Sequence, residues 1–149
     1  MKSKSFIKII LEIYRMSQNY ITPKASKYGI TRGQWYFLNR LLLNQDGISQ
    51  EQLSEEMYVN SAHTSRAIKS LEDKGFVYRE KDTEDERKKN IYVTEKSKEI
   101  KDEYHNIYKE LNKILVRDFT DEEIELCRSF LHRMRDNISL YIDESDPNK

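Results

Sequence analysis

Two polar segments of this sequence carry side chains that could bind the phosphates and base edges of a nucleic acid. The first is a helix predicted over residues 60–74, whose apolar positions are spaced by three and four and leave the opposite face small and polar. A major groove about 12 Å wide admits a helix only where bulky side chains do not shield it. The outward residues predicted to face DNA are Ser61, Ala62, His63, Ser65, Arg66 and Lys69. Taken by itself, such a face is equally typical of an ordinary solvated helix.

The second segment is a charged loop between two runs of β-forming residues, 76–80 and 90–94. Residues 81–89 are too many for a two-residue turn, so a long, protruding hairpin loop is predicted. An arginine held out on such a hairpin can enter a narrow minor groove, where the negative potential is enhanced. The loop residues predicted to act in DNA binding are Asp85, Arg87, Lys88 and Lys89, with the carboxylate orienting the arginine. Three adjacent cations, residues 87–89, are not expected in a loop that is merely acidic.

Three predicted helix starts carry a capping box, in which a hydroxyl and a Gln or Glu side chain each satisfy a backbone amide. These boxes begin at Thr31, Ser49 and Thr120. A further helix is predicted over residues 5–21, ended by Pro23. The short helix after Ser49, the helix over residues 60–74 and the charged hairpin occur in the order that is typical of a winged helix-turn-helix.

The helix at the start of the chain and the two long helices predicted after Thr94 and Thr120 are strongly apolar. Helix one is apolar over much of its girth, and a helix of that kind needs more than one neighbour to bury it. The last two helices keep an apolar spacing of three and four through Ile100, Tyr104, Ile107, Leu111, Ile114 and Leu115, and through Ile124, Cys127, Leu131, Met134, Ile138 and Tyr141. The expected fold class is mostly α (α+β), with long helices at both ends.

The composition narrows the class of protein. A formal net charge of zero over 149 residues is not that of a non-specific, strongly basic nucleic-acid binder, so DNA binding would depend on locally placed cations. One cysteine excludes an intramolecular disulfide and fits a reducing compartment. Apolar runs fall short of the roughly 20 residues that span a bilayer. Because Lys8, Glu12 and Arg15 interrupt the first apolar stretch, we expect neither a signal peptide nor a membrane protein, but a cytoplasmic one.

Patterns typical of enzymes, cofactor sites and metal sites are missing from the sequence. Four glycines form no phosphate-binding loop, and no cysteine and histidine lie at a useful spacing. His63, His105 and His132 lack the spacing of metal ligands. Cys127 is predicted to be a small core residue. We therefore expect no enzyme, no cofactor and no metal. A winged helix that binds another protein instead of DNA is the alternative interpretation, because a fold does not determine a function.

Taken together, these motifs resemble the MarR family of bacterial regulators. The helix end Leu71-Glu72-x-Lys74-Gly75 and the wing tip Asp85-x-Arg87 are a strong signal when they occur together. The other matching stretches are residues 28–31, 48–54, 64–66, 76–77 and 93–96, so that the resemblance covers nearly the whole chain.

The resemblance implies a homodimeric, DNA-binding transcriptional regulator. It implies one domain over residues 1–149, with a DNA-binding lobe over 28–94 and a dimerisation region built from 1–22 and 95–145 of both chains. The helix over residues 60–74 would read the major groove and Arg87 the minor groove, braced by Asp85 or Asp82. The expected role is a ligand-responsive repressor on a palindromic operator, with half-sites roughly 34–36 Å apart.

Many relatives bind a small phenolic or aromatic effector between the dimerisation region and the DNA-binding lobe. The candidate lining residues here are Tyr20, Tyr28, Trp35, Tyr36 and Tyr58, with Arg15 and Arg40 as anion partners. The alternative, that these aromatic residues belong to the core, is the commoner situation. Peroxide-sensing relatives carry a reactive cysteine near the start of helix one, and this sequence has none there.

Overall fold

The structure, a computed structural model, describes the backbone of residues 5–145 and the side chains of residues 5–142. This part of the chain is mainly helical and contains one small antiparallel sheet, which confirms the predicted fold class. The elements are α1 (Phe6–Ser26), α2 (Arg32–Leu43), β1 (Ile48–Ser49), α3 (Gln50–Glu56), α4 (Ser61–Asp73), β2 (Val77–Lys81), β3 (Lys89–Val93), α5 (Glu95–Glu99), α6 (Lys101–Leu115) and α7 (Asp121–Ser145). The described residues up to Leu111 form one compact unit, and those from Asn112 onward form a second.

The three predicted capping boxes are present. The Thr31 hydroxyl accepts a hydrogen bond from the Gln34 amide at 3.4 Å, and the Gln34 side chain accepts one from the Thr31 amide at 3.2 Å. Ser49 and Gln52 exchange the same two bonds at 3.1 Å each. Thr120 exchanges bonds of 2.8 and 3.2 Å with the glutamate three residues later. These helix starts are therefore specified by neighbouring residues alone.

The core of the first unit lies between α2, α3, α4 and the sheet. Fully or almost fully buried side chains there include Leu38, Leu41, Leu53, Ile68, Leu71, Val77 and Ile91. The inward stripe predicted for the helix over residues 60–74 is confirmed, since Thr64, Ala67, Ile68 and Leu71 are its buried residues. Burial of this stripe determines which face of α4 is left to solvent.

The sheet has the strand order β1-β3-β2, and both pairs of neighbours are antiparallel. β2 and β3 form the predicted hairpin, within one residue of the predicted ends. We call residues 77–93, the two strands and their loop, the wing. β1 was not predicted, because a two-residue strand leaves no periodic pattern in a sequence. It forms where Gly47, at a φ of +75°, donates to the carbonyl oxygen of Ile91 at 2.7 Å. A Cβ atom on Gly47 would lie 2.9 Å from the Tyr92 ring, so the turn requires glycine.

The prediction that Pro23 ends helix one is wrong. α1 continues to Ser26 with the proline inside it. Proline removes a backbone donor and crowds the preceding turn. However, Ile21 and Ala25, on either side of it, are 3% and 0% exposed. Packing of this last turn against the core therefore outweighs the local break.

The prediction of a single long helix after Thr94 is also wrong, because the structure has two helices there. The Thr94 hydroxyl caps α5 by accepting from the Ser97 amide at 3.4 Å, but α5 ends after five residues. Ile100, with φ −96° and ψ 0°, separates α5 from α6. The Thr94 amide donates to the Phe76 carbonyl oxygen at 3.1 Å, and the Ser97 hydroxyl donates to the same oxygen. These bonds tie α5 to the base of the wing, which the apolar spacing alone did not indicate.

Two helices, one in each unit, expose large apolar side chains. In α1 these are Phe6, Ile7, Ile9, Ile10, Leu11, Ile13 and Tyr14, up to 68% exposed. In α7 they include Leu126, Phe130, Leu131, Met134, Ile138, Leu140 and Tyr141, up to 71% exposed. Exposed apolar area of this extent marks an interaction surface on a protein or a ligand-binding groove. Among the described helices, none is both long enough and apolar enough to cross a membrane.

Candidate nucleic-acid interface

The outward face of α4 is held in place by its first turn and its buried side. The Asn60 side chain caps the helix by accepting from the His63 amide at 2.8 Å. Thr64 is fully buried, and the Ser54 hydroxyl of α3 donates to the Thr64 hydroxyl at 2.8 Å. The two helices of the motif are thus joined by a buried hydroxyl pair. The predicted DNA-facing residues Ser61, Ala62, His63, Arg66 and Lys69 are exposed, and Ser65 is partly exposed.

The other end of α4 is bound to two neighbouring elements. Gly75 has a φ of +78°, the left-handed conformation predicted just beyond the helix. The Lys74 ammonium donates to the side-chain oxygen of Gln34 at 2.8 Å. The side-chain nitrogen of Gln34 donates to the Ser70 hydroxyl, also at 2.8 Å. The Lys96 ammonium donates to the Lys74 carbonyl oxygen at 2.8 Å. A cation at this end also interacts favourably with the helix dipole. α4 is therefore anchored at both ends.

The tip of the wing is ordered by its carboxylates. Asp82 accepts from the Glu84 amide at 2.8 Å, the Asp85 amide at 3.1 Å and the Asn90 side chain at 2.8 Å. These bonds, the one from Asn90 first, hold the pKa of Asp82 below its usual value. Asp85 accepts from the backbone amide of Arg87 at 3.0 Å. Both carboxylates thus bind the backbone of the tip, and Asp85 positions Arg87 through its main chain.

A groove of about 530 Å³ separates the wing from the first turns of α3 and α4. We call it the wing groove. Its walls are Ser49, Gln50, Glu51 and Ser61 on the helical side, and Arg79, Arg87, Lys88, Lys89 and Ile91 on the wing side. Four cations face one carboxylate across this opening. The groove therefore favours an anionic occupant, and the predicted residues Ser61, Arg87, Lys88 and Lys89 lie together in it.

The remaining predicted residues of α4 are not among those that line the wing groove. His63 and Arg66 line a smaller cleft of about 170 Å³ with Thr31 and Gly33, at the start of α2. The His63 ring lies 6.0 Å from the ring of Phe37, centroid to centroid. The Lys69 ammonium lies 3.2 Å from the Asp73 carboxylate in an exposed pair. The structure therefore does not bring all the predicted DNA-facing residues of α4 into one cleft.

Arg79 is a candidate that the sequence interpretation missed. It lies on β2 opposite Ile91, and its side chain is 24% exposed and 3.5 Å from the Glu72 carboxylate of α4. The signal was present in the alternation of the strand, because residues 77 and 79 point to the same face. An arginine at an inward position of a wing strand is unusual enough to mark a functional residue.

Comparison with known proteins assigns the family. The family model described as the MarR family matches residues 30–89. The HTH-type transcriptional regulator YybA of Bacillus subtilis is 36% identical over 109 residues, which are 73% of this chain and 72% of that protein. The chain belongs to the MarR family. A MarR transcriptional regulator from Methanosarcina mazei has a similar structure, with a TM-score of 0.79, 36% identity and coverage of 89% and 96% of the two chains. A MarR-family regulator from Listeria monocytogenes, crystallised with a 26-mer DNA, has a TM-score of 0.88 at 25% identity, with 99% of each chain covered.

Two of the aromatic residues predicted to bind an effector lie around Tyr104. The Trp35 ring lies 3.6 Å from the Tyr104 ring, and its indole nitrogen donates to the Tyr108 hydroxyl at 3.0 Å. The Tyr28 ring stacks on the Tyr104 ring, with 6.3 Å between the two centroids. The Tyr104 hydroxyl is buried without a hydrogen-bond partner. Burial raises the pKa of Tyr108 to about 12 and also raises that of Tyr104, so both are neutral at pH 7.

The other predicted effector residues have different surroundings. Tyr20 is half-buried under the Lys24 ammonium, 3.7 Å from its ring. Tyr36 is 45% exposed and Arg15 is exposed. Arg40 binds the Glu56 carboxylate with its guanidinium, so its charge already has a partner. Tyr58 is 72% exposed and takes a left-handed φ of 54°, an unfavourable conformation for a side chain of this size.

Cys127 lies in the second unit. It is partly exposed and lines an apolar groove of about 350 Å³ with Phe119, Leu126 and Phe130. His105 and His132 are exposed on different helices. Among the residues that the structure describes, His, Cys, Asp and Glu side chains form no cluster that could hold a metal ion.

Proposed function

We propose that this MarR-family protein is a transcriptional repressor that binds a palindromic DNA operator as a homodimer and releases it on binding a small aromatic or phenolic effector. The observation that carries the proposal is the wing groove, where the N-terminus of α4 and the cations of the wing tip face each other. The family consists of transcriptional regulators, and we propose no enzymatic activity. We also propose that the protein acts in the cytoplasm, on operator DNA there.

The α4 face supports a helix in the major groove. Ser61, Ala62 and Ser65 are small enough to let the helix approach the base edges, and Arg66 can pair with guanine or with phosphate. His63 and Lys69 are exposed on the same helix and can donate to phosphates. Because the net charge of the chain is zero, binding depends on these side chains and not on bulk attraction.

The wing supports a contact with the adjacent minor groove. Arg87 lies on the ordered tip, and its side chain and those of Lys88 and Lys89 are exposed. Because Asp82 and Asp85 accept from backbone amides, their charge holds the loop in shape. Arg87 is thus presented on a pre-formed loop, which lowers the ordering cost of binding. We assign it to the minor groove and Lys88 and Lys89 to the flanking phosphates.

The apolar helices support a homodimer. The exposed side chains of α1 and, separately, those of α7 are too extensive for a monomer in water. A second copy of the chain covers such surfaces by two-fold symmetry, and a two-fold dimer matches a palindromic site. This assignment follows the implied dimerisation region over residues 1–22 and 95–145, of which residues 1–4 lie outside the described part of the chain.

The operator experiment uses duplexes selected from a random pool by the full-length protein, followed by hydroxyl-radical footprinting. We expect two protected half-sites with centres about 10 base pairs apart and a bound mass of two chains. Leu131→Glu, which places a charge on the exposed apolar side of α7, should abolish the paired footprint. Ser129→Glu adds the same charge to another side of α7 and serves as the control. A single half-site bound by one chain would contradict the homodimer.

The aromatic residues around Tyr104 support the effector. Trp35, Tyr104 and Tyr108 offer flat apolar surface, and the unpartnered Tyr104 hydroxyl offers a donor to an acidic phenol. The position also matters, since Trp35 and Tyr28 flank the start of α2, whose Gln34 binds Lys74 and Ser70 at the end of α4. A ligand that displaces α2 would therefore move α4 as well.

Trp35 is the single tryptophan of the chain, so its fluorescence reports on this region directly. We expect a hydroxybenzoate to change the Trp35 emission and to release the operator over the same concentration range. Tyr78→Phe, a change on the wing, should leave both titrations unaltered. If the DNA is released with no change in the Trp35 emission, the effector binds elsewhere.

A further inference from the structure

The position of Arg79 on the wing is not explained by packing. Val77 and Arg79 point to the same face of β2, and Arg79 pairs with Ile91, which is fully buried. A long apolar side chain would bury more surface at this position without the cost of desolvating a charge. The contact of the guanidinium with Glu72 is therefore the feature of this position that needs an explanation.

Glu72 of α4 is the partner of Arg79. Its carboxylate lies 3.5 Å from the Arg79 Nε atom, and the two side chains are 38% and 24% exposed. Ser61 and Glu72 are eleven residues apart, which is close to three full helical turns, so both lie on the side of α4 that faces the wing. Ser61 and Arg79 line the wing groove. The pair therefore joins the helical wall of the groove to the wing wall.

The distance between Glu72 and Arg79 is long for a hydrogen bond in this structure. The Arg79 Nε atom is buried and has no hydrogen bond, so the contact with Glu72 is an ion pair that has not closed into a hydrogen bond. A buried nitrogen of this kind is costly to leave unpaired. A small movement of the wing toward α4 would bring the Nε atom and the carboxylate within the usual hydrogen-bond distance.

The wing needs a support of this kind along its length. Its base is fixed by the Thr94 hydroxyl, which donates to the Gly75 carbonyl oxygen at 2.7 Å. The tip lies several residues further out at about 3.3 Å per residue, and an isolated two-stranded hairpin is only marginally stable in water. β1 supports β3 from one side, and Glu72 reaches β2 from the other.

We propose that Glu72 and Arg79 form a bridge that couples α4 to the wing and sets the position of Arg87 relative to the major-groove helix. Both are positioning residues, and the inference rests on the proposed DNA-binding function. Electrostatics alone makes the opposite prediction for Glu72, because removal of a carboxylate beside DNA should strengthen binding. The sign of the effect therefore separates the two explanations.

The test measures operator affinity, thermal unfolding and salt dependence for full-length variants. We expect Glu72→Gln and Arg79→Gln each to weaken binding about fivefold, with the double variant no weaker than either alone. The charge exchange Glu72→Arg with Arg79→Glu should restore part of the affinity. Arg87→Ala should also cost less affinity in the Glu72→Gln background. Asp73→Asn, the neighbouring carboxylate in an exposed pair with Lys69, is the matched control and should not weaken binding.

Several outcomes would overturn the bridge. Unchanged or tighter binding by Glu72→Gln would show that the carboxylate does not position the wing. A loss on Arg79→Gln alone, with the salt slope smaller by about one, would show that Arg79 binds a phosphate directly. Arg79→Lys keeps the charge that pairs with Glu72, so a loss of affinity as large as that of Arg79→Gln, at an equal unfolding temperature, would also overturn the bridge. If the wild type binds no selected duplex, the proposed function itself is wrong and the bridge falls with it.

Discussion

Affinity for the operator is expected to fall about a thousandfold as monovalent salt rises from about 50 mM to about 200 mM, the response of a dimer with six or more phosphate contacts. Each lobe presents Arg66, Lys69 and the three wing-tip cations, and two lobes double that number. Each neutralised phosphate releases condensed counterions, which gives a slope of about −0.9 per contact in a plot of log affinity against log salt.

The absence of net charge on the chain determines what the salt dependence measures. A general attraction between a basic protein and DNA cannot produce a steep slope here, so the slope measures the local cations. The measurement is a fluorescence-anisotropy titration at several salt concentrations, and urea unfolding at the same concentrations serves as the control for stability. A nearly flat response would favour a winged helix that binds protein partners instead of DNA.

The local features of the fold were predictable from the sequence. The capping boxes at Thr31, Ser49 and Thr120 each require only residues within three positions, and all three are present. The apolar stripe of α4 was also predictable, because a spacing of three and four defines a buried face. Gly75 ends α4 for an equally local reason.

Features that depend on distant residues were not predictable in this way. Pro23 is a local stop signal that the burial of Ile21 and Ala25 overrides. β1 exists only because Ile91 of β3 lies beside it. The start of α5 is joined by bonds from Thr94 and Ser97 to Gly75 and Phe76, just before the wing. In each case the deciding partner is remote along the chain or belongs to the packed core.

In the candidate site, too, features set by local residues were predictable and features set by distant residues were not. The outward face of α4 could be identified from helical spacing, because it is what remains after the buried stripe is removed. The wing cations could be identified from their clustering. The alternation of β2 indicated that Arg79 points inward, but its partner could not be predicted, since Glu72 belongs to a different element. The carboxylates of the tip were expected to orient Arg87, and the structure shows that they bind backbone amides.

Replacement of Arg87 by alanine is expected to weaken operator binding by about 1–3 kcal/mol. The guanidinium would be removed from a narrow groove where the potential is most negative, and the wing backbone would keep its shape because Asp85 binds the amide of residue 87. Gel-shift titration of the wild type and the variant measures the loss.

Lys81→Ala provides the matched control for Arg87→Ala. Lys81 is an exposed cation on the same hairpin, and it is not one of the residues that line the wing groove. Its removal should cost little affinity, since isolated surface charges away from phosphates contribute weakly. Equal losses in the two variants would show that the wing contributes only a general positive field.

The central claim is that α4 reads the major groove while the wing tip reads the adjacent minor groove. The most direct test replaces adenines at the outer positions of the selected operator by 2,6-diaminopurine, which adds an amino group in the minor groove and leaves the major-groove edge unchanged. The proposal predicts weaker binding by the wild type and no further loss for Arg87→Ala. An equal loss for both proteins, or no loss for the wild type, would contradict the placement of Arg87 in the minor groove.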